Sequence, residues 1–215
     1  MRIALIHAVT VAMAPVHDAF SRLWPDAERI DILDTSLPGD LARDGRLTPA
    51  MMQRFATLTR YAEDISAAGI LFTCSAFGAA IDAAAAAAGI PALKPNEAMF
   101  EAALNAGTRL GMLATFAPAA ASMEAEFRDL AGAGGSAARL ETVCVPEAMQ
   151  ALQAGEGATH DVLLAEAAPR LSGCDAVMLA HFSTSRALAA VQPRLPCPVL
   201  TAPDAAVRKL KALLC

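Results

Sequence analysis

The 215-residue sequence contains no cluster of lysine and arginine and no aromatic-rich basic stripe; its formal net charge is −5, with acids and bases mixed along the chain. A nucleic-acid partner is therefore not expected. Long apolar runs are missing too. The longest, "AAIDAAAAAAGIPAL", is interrupted by Asp82, Gly89 and Pro91, short of the roughly 20 residues a membrane span needs. The opening "RIALIHAV" reads as a strand and lacks the parts of a signal peptide, so a cytoplasmic protein is expected. There is no Cys-x-x-Cys and no cysteine–histidine zinc spacing. The five cysteines (Cys74, Cys144, Cys174, Cys197, Cys215) are odd in number and far apart, which argues against disulfides and structural zinc. Gly132, Gly134 and Gly135 follow a helix pattern rather than a strand, so "GAGGS" is a loop and not a phosphate-binding fingerprint.

What the chain does have is apolar residues, 55% against 18% charged, the balance of a compact globular protein. Much of that fraction is alanine, which suits closely packed helices. Strand-like runs alternate with helical ones throughout. "RIALIH" precedes "APVHDAFSRLW", "RIDILD" precedes "TPAMMQRFATLTRYAEDISAA", and "GILFT" precedes the alanine helix. "RLGMLA", "ARLETVCV", "DAVMLA" and "CPVL" continue the alternation. This pattern predicts an α/β protein with parallel sheets.

The alternation reads as one unit written twice. Arg2 and Arg109 head corresponding strands, 107 residues apart. Gly69-Ile70 and Ala176-Val177, Pro91-Ala92-Leu93 and Pro198-Val199-Leu200, and Glu97 and Asp204 keep the same 107-residue offset. The expectation is two similar lobes, pseudo-twofold related, each a parallel sheet of about four strands flanked by helices, with a cleft between them. Residues 1–94 form lobe 1, with 201–215 packing back on it, and residues 95–200 form lobe 2.

Within "GILFTCSAFG", Cys74 sits where an apolar strand gives way to small residues. The 107-residue offset carries Cys74 onto His181 in "VMLAHFSTS". Both stand at the C-terminal end of the third strand of their lobe, the edge at which parallel sheets bind ligands. A thiol and an imidazole on opposite walls of one cleft suit removal of a proton from one face of a carbon and delivery to the other. The thiol would need its pKa lowered by a helix N-terminus or nearby donors to act as a base. The imidazole titrates near neutrality by default.

Through "GILFTCSAFG", "IPALKPNEAM", "RLGMLATFAP", "DAVMLAHFS" and "CPVLTAPDAAV" the sequence resembles the cofactor-independent aspartate/glutamate racemase superfamily. That superfamily includes hydantoin racemases, maleate isomerases and arylmalonate decarboxylases. The resemblance covers nearly the whole chain. It implies a small carboxylate substrate bound between two lobes, no metal and no cofactor, and a homodimer. It places Cys74 on the first-lobe catalytic cysteine and His181 where a second cysteine is usual. The Asn-Thr that usually follows the first cysteine is here Ser75-Ala76, which leaves fewer side-chain donors for an amino-acid carboxylate. The implied activity is a racemase or isomerase working next to a carboxylate. An arylmalonate-decarboxylase-like enzyme and a non-catalytic carboxylate-binding protein stand as alternatives.

Each nominated residue also has a plainer reading. Cys74 could be a small buried hydrophobe, and His181 a core histidine satisfied by a carbonyl. His7, at the end of the first strand, could orient or activate Cys74 or simply cap. Thr115 could donate to a carboxylate or N-cap the helix opening at Pro118. Ser75 and Ser183 could build an anion site with backbone N–H groups, or cap. Lys94 and Asn96 could set substrate selectivity at the cleft edge, against a surface lysine as the plain alternative. Glu97 and Asp204 are expected to stabilise helix N-termini by charge.

Overall fold

The computed structural model describes residues Met1–Cys215. The chain forms two compact units. One comprises Met1–Ala98 with Ala206–Cys215, the other Met99–Ala205.

In the first unit the strands are β1 (Arg2–His7), β2 (Glu28–Leu33), β3 (Gly69–Phe72) and β4 (Ala92–Leu93). All pair in parallel, in the order β2-β1-β3-β4. The intervening helices are α1 (Met13–Leu23), α2 (Leu37–Asp44), α3 (Pro49–Asp64) and α4 (Gly78–Ala87). Local chemistry fixes their ends. Thr48 caps α3 by accepting from the amide of Met51 (3.3 Å), and Pro49 opens the helix where its missing N–H costs nothing. Gly45 ends α2 in the left-handed region, φ +64°.

The apolar run of β3 is buried along its whole length, as a central parallel strand covered on both faces must be. On one face Ala4, Ile6, Ile70 and Phe72 join Phe55 of α3 and Ala80, Ile81 and Ala84 of α4. The Phe55 ring lies 6.1 Å from Phe72 and 5.2 Å from Phe77, centroid to centroid. Truncating such a ring typically costs about 3–5 kcal/mol. Helix α10 (Ala202–Leu214) reaches this unit with its C-terminal part: a Cβ on Gly69 would lie 3.0–3.2 Å from Leu214 and Leu210. Small alanines and a glycine thus let helices approach the sheet closely.

The second unit repeats the arrangement with α5 (Glu97–Ala106) leading in, then β5 (Arg109–Ala114), α6 (Ala117–Ala133), β6 (Arg139–Cys144), α7 (Pro146–Gln153), α8 (Gly157–Ala167), β7 (Ala176–Leu179), the short α9 (Leu188–Val191) and β8 (Val199–Thr201). Its parallel order is β6-β5-β7-β8. The stretch from Pro146 to Leu171, which reads as one helical region, is α7, α8 and a 3-10 turn at Ala168–Leu171.

Ladder positions recur with the spacing seen in the sequence. Ile3 pairs Gly69 and Leu110 pairs Ala176; Ala92 pairs Ile70 and Val199 pairs Val177. Connecting bonds recur as well: Ala68 N–H to the Arg2 carbonyl (2.8 Å) and Asp175 N–H to the Arg109 carbonyl (2.6 Å). The outer strands break the spacing. Arg2 pairs Glu28 whereas Arg109 pairs Arg139, so the second unit's first crossover is four residues longer.

Asp175 locks the entry of β5. Its Oδ2 accepts from the amides of Thr108 (3.0 Å) and Arg109 (2.9 Å), and its Oδ1 meets the Arg109 guanidinium at 2.8 Å. The Arg109 amide, then its guanidinium, hold this carboxyl below the usual aspartate range. The stability it contributes is present above the ordinary aspartate value and is lost as pH falls through the lowered one. Gly107 makes the lock sterically feasible, because a Cβ there would lie 2.4 Å from Asp175 Cβ. Gly107→Ala is expected to lower thermal stability by about 1–3 kcal/mol. Gly132→Ala, a helical site with nothing within 4 Å, should be neutral or stabilising by up to about 1 kcal/mol. Denaturant melts of the two variants check this, and equal stabilities would refute the lock.

Candidate functional site

The C-terminal edges of the two central strand pairs carry the nominated side chains. In the first unit β1 ends at His7 and β3 ends at Phe72, from which the chain continues through Thr73 to Cys74. The amide of Thr73 makes the final rung to the Ile6 carbonyl at 3.1 Å. Cys74 then stays extended (φ −124°, ψ 117°) and precedes a 3-10 turn at Ser75–Phe77. Phe77 plugs that turn into the apolar core, 1% exposed. The side chain of Cys74 is half-buried, and burial pushes its thiol pKa up, opposed by a hydrogen bond from the Ala76 amide. A thiol acting as a base needs a lowered pKa; here desolvation outweighs the single donor, the pKa is raised instead, and the thiol rests protonated.

His7 does not bond Cys74. Its ring is buried and lies between two other groups: Nδ1 is 2.8 Å from Thr73 Oγ1 and Nε2 is 2.9 Å from Asp31 Oδ1. Burial lowers its pKa, with Asp31 pulling the other way. The ring is therefore neutral. A carboxylate only accepts, so Nε2 carries the proton and Nδ1 accepts from the Thr73 hydroxyl. Asp31 in turn meets His17 of α1, whose Nε2 is 2.9 Å from each carboxylate oxygen. Thr73, Asp31 and His17 carry no local sequence signal for this. His17 is 14 residues from Asp31, and His7 is 66 residues from Thr73.

In the second unit Ala180 makes the corresponding final rung, its amide 2.9 Å from the Leu113 carbonyl. His181 follows with φ +70°. A non-glycine residue in the left-handed region costs roughly 1–2 kcal/mol, and such strain gathers at functional sites. Its Nε2 is buried without a hydrogen-bond partner, and burial pushes its pKa down. The imidazole thus rests neutral. The segment after it, a 3-10 turn at Ser183–Ala187, is tied to α8 by Arg186, whose Nε donates to Asp161 (3.0 Å). Gly157 clears the way, since a Cβ there would lie 2.3 Å from the guanidinium. The Thr184 hydroxyl closes the bend on the His181 carbonyl (3.3 Å).

The remaining nominees fall around these edges. Thr115 is buried beyond β5 but does not cap α6; the N-cap position is Phe116, without a side-chain cap bond. Ser75 and Ser183 open 3-10 turns, again with no side-chain cap bond at the preceding residue. Lys94 is committed to Asp82 (3.1 Å) and Glu97 (3.4 Å), an arrangement that restrains it as a substrate ligand. Asn96 is buried, 1% exposed. Glu97 and Asp204 do stand in the first turns of α5 and α10, and Glu97 also pairs Lys209 at 2.9 Å. All five cysteines are free thiols. A cavity of about 370 Å³ between α6 and β6, lined by Phe127, Arg128 and Arg139 among others, contains none of the nominated residues. No helix is long and apolar enough to cross a membrane.

By sequence, no protein-family model and no curated protein matches the chain. Solved structures match it in fold over essentially its full length. Allantoin racemase from Klebsiella pneumoniae is 18% identical, with a TM-score of 0.72 over 99% of this chain and 87% of that one. An aspartate racemase homologue from Pyrococcus horikoshii OT3 is 15% identical, with a TM-score of 0.74 over 99% of this chain and 98% of that one. Unliganded arylmalonate decarboxylase is 17% identical, with a TM-score of 0.67 over 99% and 92%. Identities this low establish a shared fold. The fold shared with these two racemase-type structures and the decarboxylase is, in this chain, two four-stranded parallel sheets flanked by helices.

Proposed function

We propose that the protein is a cofactor-independent racemase or isomerase that moves a proton at the carbon next to the carboxylate of a small acid. Cys74 and His181 are its acid–base pair, one from each unit. The observation that carries this reading is His181: a strained left-handed backbone holds a buried imidazole whose Nε2 has no partner, at the strand end matching that of Cys74. In this reading the neutral imidazole takes the α-proton at Nε2 and the thiol gives its proton to the opposite face. Imidazolium and thiolate remain, and the reverse turnover returns both protons. Ser75, Thr115, Ser183 and nearby backbone N–H groups would hold the carboxylate and the enolate-like charge that develops. Lys94 and Asn96 would border the substrate, and a homodimer is carried over with the same reading.

One observation favours a second reading. Because burial keeps the Cys74 thiol protonated, it suits protonation of a carbanion left by departing carbon dioxide, the decarboxylase case. Incubation with small carboxylates in deuterated water separates the two. Exchange with inversion at the α-carbon supports racemisation, and carbon dioxide release with one deuterium incorporated supports decarboxylation. Binding with neither refutes both and leaves a carboxylate-binding protein. On a substrate so found, Cys74→Ala and Cys74→Ser should each cost roughly 10²–10⁴-fold in kcat. His181→Ala should abolish inversion while sparing one-sided exchange. Full activity in Cys74→Ala would eliminate the thiol.

The pH profile has a predictable sign. The base form of His181 persists above a pKa held below the ordinary histidine value, and the acid form of Cys74 persists below one held above the ordinary thiol value. For turnover that starts from this pair, kcat/KM should be bell-shaped with a plateau wider than the unperturbed groups would give. A profile narrower than that, measured by initial rates, would contradict the neutral resting pair.

A further inference from the structure

We propose that Asp31 and His17 are positioning residues for Cys74, acting through His7 and the hydroxyl of Thr73. The inference rests on the reading of Cys74 as a working thiol and adds residues to it. Four side chains form one line: His17 Nε2 to Asp31 (2.9 Å), Asp31 Oδ1 to His7 Nε2 (2.9 Å), and His7 Nδ1 to Thr73 Oγ1 (2.8 Å). The line runs from a partly exposed imidazole on α1, through a carboxylate on β2, to the residue that immediately precedes Cys74. At the inner end nothing is slack: the His7 side chain is fully buried and Thr73 is 5% exposed.

The chemistry fixes a direction. Thr73 Oγ1 has one proton and two acceptors within reach, His7 Nδ1 at 2.8 Å and the Ile6 carbonyl at 3.3 Å. Asp31 holds the His7 proton on Nε2, which leaves Nδ1 bare, and the hydroxyl then turns to Nδ1 and away from Ile6. Reversing the tautomer reverses the hydroxyl. Thr73 is also the last rung of the β3 ladder, so its setting fixes where Cys74 leaves the sheet and meets its single donor, the Ala76 amide. His17 governs the outer end, because its ring and that of His7 compete for the same carboxylate.

The other charged and polar groups around the line are already engaged. Arg29, also on β2, donates to the His17 carbonyl (3.5 Å) and Ser21 (2.9 Å). Asp34 gives its amide to the His7 carbonyl (3.1 Å), and its carboxylate is held by Arg54. Neither side chain replaces Asp31 at the ring.

The test is Asp31→Asn in the full chain, which keeps the shape and replaces an obligate acceptor by an amide that can donate to Nε2. Nitrogen NMR of the histidines should show the His7 proton moving from Nε2 to Nδ1. Alkylation of Cys74 by iodoacetamide, read by peptide mass spectrometry so that the other four thiols do not interfere, should slow by about tenfold at neutral pH, the effect of one unit in a thiol pKa. His17→Ala should raise the pH at which His7 titrates and leave its proton on Nε2. Asp31→Glu should recover part of the Cys74 rate. An unchanged His7 tautomer and an unchanged Cys74 alkylation profile in Asp31→Asn would overturn the proposal, as would an altered profile that Asp31→Glu reproduces in full. These readouts do not depend on turnover. Loss of the catalytic reading would show as full activity in Cys74→Ala, whatever the alkylation profile does.

Discussion

Two backbone hydrogen bonds govern the geometry of everything described above: Thr73 N–H to the Ile6 carbonyl and Ala180 N–H to the Leu113 carbonyl, 3.1 and 2.9 Å. Each is the last rung between the two central strands of its sheet. Because those strands are buried on both faces, a slip of one residue would drive polar groups into the core and is strongly disfavoured. The register therefore decides which residue comes first off the end. In one unit it is Cys74, in the other His181. The placement of these two side chains at the edge is a consequence of ladder arithmetic before it is a matter of side-chain chemistry.

What happens after the last rung differs between the units. Cys74 continues in extended conformation, and Phe77, three residues on, anchors the turn by burial against Phe55. His181 bends at once into the left-handed region and is held by polar ties, Thr184 to its carbonyl and Arg186 to Asp161 on α8. An apolar plug and a polar strap are unequal restraints. The plug draws on roughly 3–5 kcal/mol of aromatic burial. The strap lies at a partly exposed ion pair, the kind worth about 1 kcal/mol or less. The His181 end has apolar anchors as well, since Phe182 is 4% exposed and Ala187 is fully buried.

The strands and their parallel pairing were legible because a parallel sheet writes itself as apolar runs, and the 107-residue spacing survived wherever both ladders are buried; the order of strands within each sheet came from the structure. It failed at β2 and β6, the outer strands, where exposed positions impose little on the sequence and four extra residues fit in the crossover. The edge position of Cys74 and His181 could be read from the same spacing. Their protonation could not, since it follows from burial by segments distant in sequence. The line from His17 to Thr73 was equally hidden. Its members lie on two strands, a helix and the segment just past β3, and only the fold brings Asp31, fixed opposite Leu5 in the ladder, next to the ring of His7. The pairing of Lys94 with Asp82 was hidden for the same reason, because Asp82 lies on α4, on the far side of β4 in the chain.

Comparing three of the four histidines, His7, His160 and His181, separates the satisfied ring from the unsatisfied ones. His7 has both ring nitrogens engaged, so it is satisfied where it stands. His160 pairs Nδ1 with Asp161 at 2.7 Å and leaves Nε2 unpartnered, but its backbone is ordinary helix. An unpartnered nitrogen alone is thus compatible with a structural role. His181 combines the unpartnered Nε2 with a left-handed backbone at a strand end. An unsatisfied buried polar group costs about 1–3 kcal/mol, and the backbone adds roughly 1–2 kcal/mol. Glycine would relieve the second cost and any apolar residue the first. A residue that carries both takes up a sizeable part of a marginal total stability of about 5–15 kcal/mol, which is the physical ground for the role proposed for its ring.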